Sequence, residues 1–589
     1  MKKNLLYLAF TAFTTAGLYA QINVSATGGT GAGTYTTLKG AFDAINAGTH
    51  QGAITIDVTA STAETDAAVL NGSTSPASYT SVLIKPATGV TATISGSIAT
   101  AIIKLNGADN VTINGSNNGS SSRNLTINNT LVAGTGQNPA VLWVASTLTD
   151  GANNVTLRNI NFAGSTPTGT VGNVLVSGST LGAAEVSNNN FTAINNTFVR
   201  AQNGIFAIGN ATTTDTGWVI RNNEIGSTVA ADKMLFRGIA VQNAKNFEVS
   251  GNVINGVVIG STSTAQGMLI GVGATDGSIF NNVISDIKNT NADGYGAVGL
   301  YLNSNSTTAN LLVYNNIISD VTGTGYALGG ALGDNGNGIF VAQGAGYKIY
   351  YNTVVLNTNQ TNGGRPAAIN VAVGVTAAGA IDLRNNIFVN TQTTTGQRYA
   401  IYSGAPNTVF SNINNNDYYT TGANLGYIGA TNRATLTDIQ TSFGGNTNSI
   451  SVLPVFMSAT DFRVQAIAAN AALDNKATPV AEVTTDADGA TRNATTPDLG
   501  SYEFSAPLST QVFTKSRVIY NNPVADYLNI KTDREIQTVE IFTLSGQSVS
   551  KTDINAVEGA IDMRSLSSGI YVMKITSEGQ TSSIKVIKK

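Results

Sequence analysis

The 589-residue chain reads as an all-β protein: a right-handed parallel β-helix of about 27–36 residues per coil with an N-terminal helical cap, followed by a small C-terminal antiparallel β-sandwich. Three observations predict this. The stretch Leu311-Leu-Val-Tyr-Asn-Asn-Ile-Ile-Ser-Asp320 is one copy of a unit that recurs as Ser278-Ile-Phe-Asn-Asn-Val-Ile-Ser-Asp286 and Leu383-Arg-Asn-Asn-Ile-Phe388. A second unit, Gly followed by alternating apolar residues, recurs in phase upstream of it, and two sub-motifs repeating together at a period near 30 mark a solenoid. The last 75 or so residues share neither unit and read as short alternating strands.

Composition sets the bounds. Only 11% of residues are charged, and 42% are hydrophobic, which argues against wholesale disorder. The net charge of −3 supplies no basic field for nucleic acid. With no Cys there are no disulfides, no thiolate metal sites and no cysteine nucleophile.

Residues 1–20 place Lys2 and Lys3 ahead of an apolar run and close at Gly17-Leu-Tyr-Ala20, the layout of a cleaved secretory signal. No later run is long enough to span a bilayer, so no transmembrane segment is expected after cleavage. Residues 21–100 are read as the cap and first coils. Within them, Leu38, Ala41, Phe42 and Ile45 fall at i, i+3, i+4 and i+7, the pattern of an amphipathic helix over residues 35–48, with Thr36 or Thr37 as N-cap. Such a helix would cover the open edge of the first coil. His50, the one histidine, is expected in a loop just beyond it. The string Tyr35-Thr-Thr-Leu-Lys-Gly-Ala-Phe-Asp-Ala-Ile-Asn46 resembles the opening of pectin-lyase-like β-helix proteins over about a dozen residues. Short strands follow near residues 53–58, 81–85, 91–94, 101–105 and 111–113.

Residues 101–505 are assigned to the β-helix. The second polar slot of the Asn unit is placed at Ile160, Asn189, Asn223, Asn252, Asn282, Asn316, Asn352, Asn386 and Ile413, in steps of 29, 34, 29, 30, 34, 36, 34 and 27 residues. Steps of this size suit a coil of three strands and three turns, and the strand-crossover preference gives the right-handed sense. In the upstream unit, Ile205, Ile239, Met268, Leu300, Ile339 and Ile369 should stack inside, one coil above another. The Asn pairs suit left-handed corners and amide ladders, a structural role. The repeat fades after Asn416. Gly489-Ala-Thr-Arg-Asn-Ala-Thr-Thr-Pro-Asp-Leu-Gly-Ser-Tyr-Glu-Phe504 then resembles the ending found on many bacterial surface β-helix proteins, and is read as the C-terminal cap before a linker at residues 506–514.

In residues 515–589 four landmarks occur in order: Asn522-Pro523, Ser545-Gly546-Gln547, Leu566-Ser-Ser-Gly569-Ile-Tyr571, and the basic end Lys588-Lys589. At these residues the chain resembles the type A C-terminal sorting domain of the bacterial type IX secretion system. The resemblance implies that Pro523, Gly546, Gln547, Leu566, Gly569, Tyr571, Lys588 and Lys589 form a sorting signal, that the type IX machinery is a partner, and that the protein is secreted or attached to the cell surface.

Fold alone names no function. No His lies in the coils, which removes His-dependent triads and zinc sites. Two constellations remain. Asp286 and Asp320 sit four residues past the Asn slots of consecutive coils, with Lys288 nearby; hard oxygen ligands so placed could hold Ca²⁺ and serve a lyase, or be copied turn residues. The outward slot before the Asn pair reads Arg158, Ser187, Arg221, Ser250, Phe280, Tyr314, Tyr350, Arg384 and Ser411. Phe280, Tyr314 and Tyr350, with Arg384 beyond and Tyr301 and Phe340 on the other strand, could stack on sugars or simply stabilise the ladder. The favoured expectation is an adhesin or polysaccharide-binding protein without catalysis and without a cofactor. The alternative is a secreted Ca²⁺-dependent polysaccharide lyase, or a glycoside hydrolase, acting on acidic glycans.

Overall fold

The computed structural model describes residues 20–132, 134, 137–293, 295–325, 334–507, 518–577 and 580–589. The segment read as a secretory signal, but for Ala20, and residues 508–514 of the expected linker lie outside the described residues. The described chain divides into two compact units between Ala506 and Pro507.

The first unit is a parallel β-solenoid whose coils lay one strand on each of three long sheets, A, B and C, of 14, 13 and 13 strands. From the strand His50–Val58 to Gly426–Ile428 each strand pairs in parallel with the equivalent strand of the next coil, so alternate side chains stack in columns; Ile22–Gly29 pairs antiparallel with His50–Val58 at the start. Ile205, Ile239, Met268, Leu300, Ile339 and Ile369 form one such column on sheet C, in unbroken register and fully buried. Each side chain so buried stabilises by about 1.5–3 kcal/mol relative to exposure. Sheet B contributes stacked rings, Phe162 on Phe198 at 5.1 Å and Phe388 on Tyr418 at 5.9 Å. The Gly that opens the sheet C unit is required by a close approach: a Cβ on Gly238 would stand 2.6 Å from the Gly267 carbonyl oxygen.

The two Asn of the repeated pair divide the work at the corner from sheet A to sheet B. The first takes the left-handed conformation, with φ of 55° at Asn195, 55° at Asn222, 54° at Asn281, 55° at Asn315, 65° at Asn385 and 52° at Asn415. Gly251 and Tyr351 hold the same corner in their coils. The second forms a buried ladder. Asn196, Asn223, Asn252, Asn282, Asn316, Asn352 and Asn386 each donate both a backbone N–H and a side-chain N–H to the amide oxygen of the next member, ending at Asn416. Ile160 heads the ladder, its N–H donating to Asn196.

This corrects two sequence placements: the slots assigned to Asn189 and Ile413 belong to Asn196 and Asn416. The coil has a second Asn-rich corner, where Asn154 and Asn190 are left-handed and Asn190 donates to Asn154, so one run of Asn passes for another. In the outward column, Ile194 and Asn414 therefore replace Ser187 and Ser411.

Both ends of the solenoid are closed. At the start, α1 (Leu38–Asn46) buries Leu38, Ala41, Phe42 and Ile45, with Thr37 capping the Gly40 N–H. The Glu64 carboxylate accepts from the Leu38 and Lys39 N–H groups, where the helix dipole favours an anion. His50 is not a loop residue: it opens the strand His50–Val58, is fully buried, and hydrogen-bonds Tyr35 and the Thr30 carbonyl. At the far end an antiparallel hairpin, Gly426–Ile428 with Thr431–Arg433, is followed by α2 (Leu436–Phe443), whose Ile439 enters the core.

The segment read as the C-terminal cap has a different place. Residues 450–504 run back along the flank, over the corner between sheets A and B, as a strap. Its Phe462, Val464, Leu473, Val480 and Leu499 bury Ile317, Tyr350, Tyr351, Val355, Ile387 and Val389 of the coils. The left-handed corner residues fasten it. Asn315 donates to the Thr485 carbonyl, Asn385 to Thr478 and Asn415 to Lys476, while the Tyr351 hydroxyl donates to Thr478. Arg492 is sunk between these, 2.8 Å from Glu503, donating to Asn315 and the Gly500 carbonyl, and stacked 3.8 Å from the Tyr351 ring centre.

The second unit is a five-stranded antiparallel sheet. A register break between Lys531 and Ile536 lets its longest strand, Tyr527–Thr543, contribute Leu528 and Ile530 as well as Val539 and Ile541 to one core.

Candidate functional site

Four exterior features carry the side chains singled out from sequence. On sheet B, Asp286 and Asp320 occupy a corner that in the preceding coil is Gly256, all three with positive φ. Asp is among the few residues that tolerate this conformation. Their carboxylates do not stand free: Lys288 bridges them, at 2.7 Å from Asp286 and 3.0 Å from Asp320, and Lys233 pairs with the other Asp286 oxygen. Thr358 donates to the remaining Asp320 oxygen. Burial opposes the Lys288 charge, but the hydrogen bonds to Asp286 and Asp320 outweigh it and hold the ammonium above its ordinary pKa. A base needs the opposite shift. Nor does the donor set fit Ca²⁺, which takes six to eight oxygens: both carboxylates are engaged by ammonium groups, and among the described residues no three acidic or His side chains converge.

On sheet A the outward column holds Phe280, Tyr314, Tyr350 and Arg384 in consecutive rungs. Phe280 and Tyr314 stack in parallel at 4.8 Å and stay partly exposed. Tyr350 does not extend this platform. The strap leaves it 2% exposed, its hydroxyl donates to Asp382 at 2.7 Å, and Arg384 lies 4.9 Å from its ring centre. Arg384 is spent on both Asp382 oxygens, and Arg221 faces Glu248 at 3.5 Å. Sequence alternation assigns the column correctly; the strap that covers part of it comes from residues more than 100 positions away.

The largest feature is one of which the sequence reading found only a part. Tyr301 and Phe340, at 5.2 Å, are two rungs of an outward column on sheet C that runs in register through Trp143, Leu175, Phe206, Ala240, Leu269, Tyr301, Phe340, Asn370, Tyr402 and Tyr427. These alternate with core residues: Leu142 and Val144 belong to the main interior, while Trp143, 6% exposed, packs with Ala145 and Leu175 in a separate buried cluster. Tyr399 and Tyr402 are buried in a second cluster, and the partly exposed Tyr427 stacks on Tyr402 at 4.6 Å. Cations lie on the rings. Lys104 sits 4.7 Å from the Trp143 ring centre, and Arg237 stacks 3.7 Å from that of Phe236 and 5.7 Å from that of Phe206. Burial drives the Arg237 pKa down to about 10, which leaves the guanidinium charged at neutral pH. The available sequence signal was the residue two after each unit's Gly, which reads Phe206, Ala240, Leu269, Tyr301 and Phe340 down the coils.

In the second unit the sorting landmarks converge on one end of the sheet. Gly546, with φ of 84°, and Gln547 form the turn after Thr543, which pairs with Tyr571. Gly569 pairs with Lys588, the Tyr571 hydroxyl donates to Ser567, and Leu566 closes a turn on Met563. Pro523 precedes Val524, which exchanges backbone hydrogen bonds with Ile587 and Lys589.

Residues 518–589 match a family described as the secretion system C-terminal sorting domain. No curated protein matches the chain. Among solved structures, full-length tailspike protein 2 from Escherichia coli O157:H7 bacteriophage CAB120 is similar at 9% identity with a TM-score of 0.29. The alignment covers 94% of this chain and 60% of that one, so the chain spans less than two thirds of the tailspike's length. The protein is thus a parallel β-helix carrying a type IX sorting tail, a substrate of that secretion machinery bound for the cell surface or the medium. Among the described residues no helix is long and apolar enough to cross a membrane.

Proposed function

We propose that the solenoid binds polysaccharide without turning it over, as an adhesin or glycan-binding protein delivered to the surface or the medium by its sorting tail. The observation that carries this is the aromatic column on sheet C. Its partly exposed rings, Phe206, the neighbouring pair Tyr301 and Phe340, and Tyr427, offer apolar faces to sugar rings at low entropy cost. Binding without turnover is supported by the Asp286–Lys288–Asp320 cluster, whose charges are mutually neutralised and whose lysine is held protonated.

The test is to incubate the protein with a panel of acidic and neutral polysaccharides, with and without Ca²⁺. We expect saturable pull-down and no chain cleavage. Unsaturated or shortened products that disappear in Asp286→Ala would refute the proposal in favour of a lyase.

A further inference from the structure

We infer that the outer face of sheet C selects acidic glycans, with Arg237 pairing a uronate carboxylate. The inference rests on the glycan-binding reading and narrows it to a chemical class.

The sheets differ in charge. Sheets A and B carry both signs and neutralise them locally, as in Arg221 with Glu248, Arg384 with Asp382, Lys348 with Glu482, and Lys288 with Asp286. The thirteen strands of sheet C contain no Asp or Glu. Lys104 and Arg237 belong to those strands, and among the described residues neither has a carboxylate within ion-pair distance. An arginine sunk among rings with no anion costs stability unless something pairs it. Its Nε donates to Gln266 Oε1 at 2.6 Å, which fixes the guanidinium plane and leaves both terminal nitrogens without a hydrogen-bond partner among the described residues. That is the free fork a carboxylate fills with two parallel bonds.

A second orphan lies beside it. Asn203, the register partner of Arg237 in the preceding coil, is 4% exposed, and its buried amide oxygen has no hydrogen-bond partner among the described residues. The cations also recur. Four rungs separate the strand of Lys104 from that of Arg237, and four more the strand that Arg365 precedes, about 19 Å each at ~4.8 Å per rung. A polymer with regularly spaced carboxylates can meet all three.

The experiment titrates the mature full-length protein with polygalacturonate, alginate and hyaluronan, each against its carboxyl-reduced form, at low and high salt. At least one acidic polymer should bind about tenfold or more tightly than its reduced form, the worth of a charge-assisted pair, and the preference should shrink with salt. Arg237→Gln should abolish that preference, Arg237→Lys should keep part of it, and Arg221→Gln on sheet A should leave it intact. Circular dichroism melts identify any variant that fails to fold. Equal affinity for acidic and reduced polymers, or an unaltered preference in folded Arg237→Gln, overturns the inference while leaving glycan binding in place. No binding to any polymer overturns both. A concentration-dependent dimer that Arg237→Gln dissolves would assign the face to a second copy and also overturn it.

Discussion

Replacing Asn316 by Ala tests what holds the coils in register. The Asn316 side chain accepts from the Asn282 backbone N–H at 3.2 Å and side-chain N–H at 2.9 Å, and donates to the Ile279 carbonyl and to Asn352, each at 2.9 Å. Ala removes all four bonds in a site with no solvent access. The Asn282 N–H, left unpaired and buried, costs ~1–3 kcal/mol, and each other lost bond ~0.5–1.5 kcal/mol. With partial relaxation of the neighbours, the loss should be about 4 kcal/mol. The control is Asn281→Gly one residue before Asn282. Asn281 is left-handed, its amide oxygen has no partner, and glycine already holds the equivalent corner at Gly251, so the change should stay within about 0.5 kcal/mol. Urea denaturation followed by circular dichroism compares the two, with hydrogen exchange at Asn282 reporting locally. Equal midpoints for Asn316→Ala and Asn281→Gly would refute the ladder as the register-setting element.

Two further outcomes concern the strap and pH. Arg492→Ala leaves Glu503 and Asn315 without their partner in a desolvated site, and should weaken strap docking by about 3–5 kcal/mol, read as faster proteolysis of residues 450–504 while the coils resist; unchanged protection would contradict the assigned contacts. Burial lifts the Asp498 carboxyl to about 7 and that of Asp215 to about 6, and raises Asp417, whose Oδ2 has no partner. A carboxyl whose folded pKa lies above its unfolded value of ~3.9 favours the fold in its protonated form, so its contribution is full below about pH 4 and is lost as pH rises through 6 and 7. Thermal midpoints should therefore climb from pH 8 to pH 5, and Asp498→Asn should flatten the climb; a fall over that range would contradict the burial of these groups.

Much of the fold was legible because a solenoid repeats its signals. Ile205 to Ile369 stack as their alternation requires, and Leu38, Ala41, Phe42 and Ile45 form the cap face their spacing predicts. Local repeats with the same letters were harder to phase: Asn189 and Asn196 lie seven residues apart on different corners, and only hydrogen bonding distinguishes them. The strap was illegible as such because its contacts join Thr478 to Asn385 and Arg492 to Asn315, separations that no periodicity encodes. The same gap hid the state of the candidate site. Alternation put Tyr350 and Arg384 outward, as they are, but could not show that Asp382 and the strap engage them, or that Arg237 alone among the central coils' arginines stacks on rings without an acid.

The central claim, that sheet C is the glycan-binding face, is tested most directly by measuring one bound polysaccharide against Phe340→Ala and Tyr314→Ala side by side. Phe340→Ala should weaken binding about tenfold or more, at ~1–3 kcal/mol for a stacked ring, while Tyr314→Ala leaves it nearly unchanged. The reverse order, or equal affinity in both variants and the parent, would contradict the account.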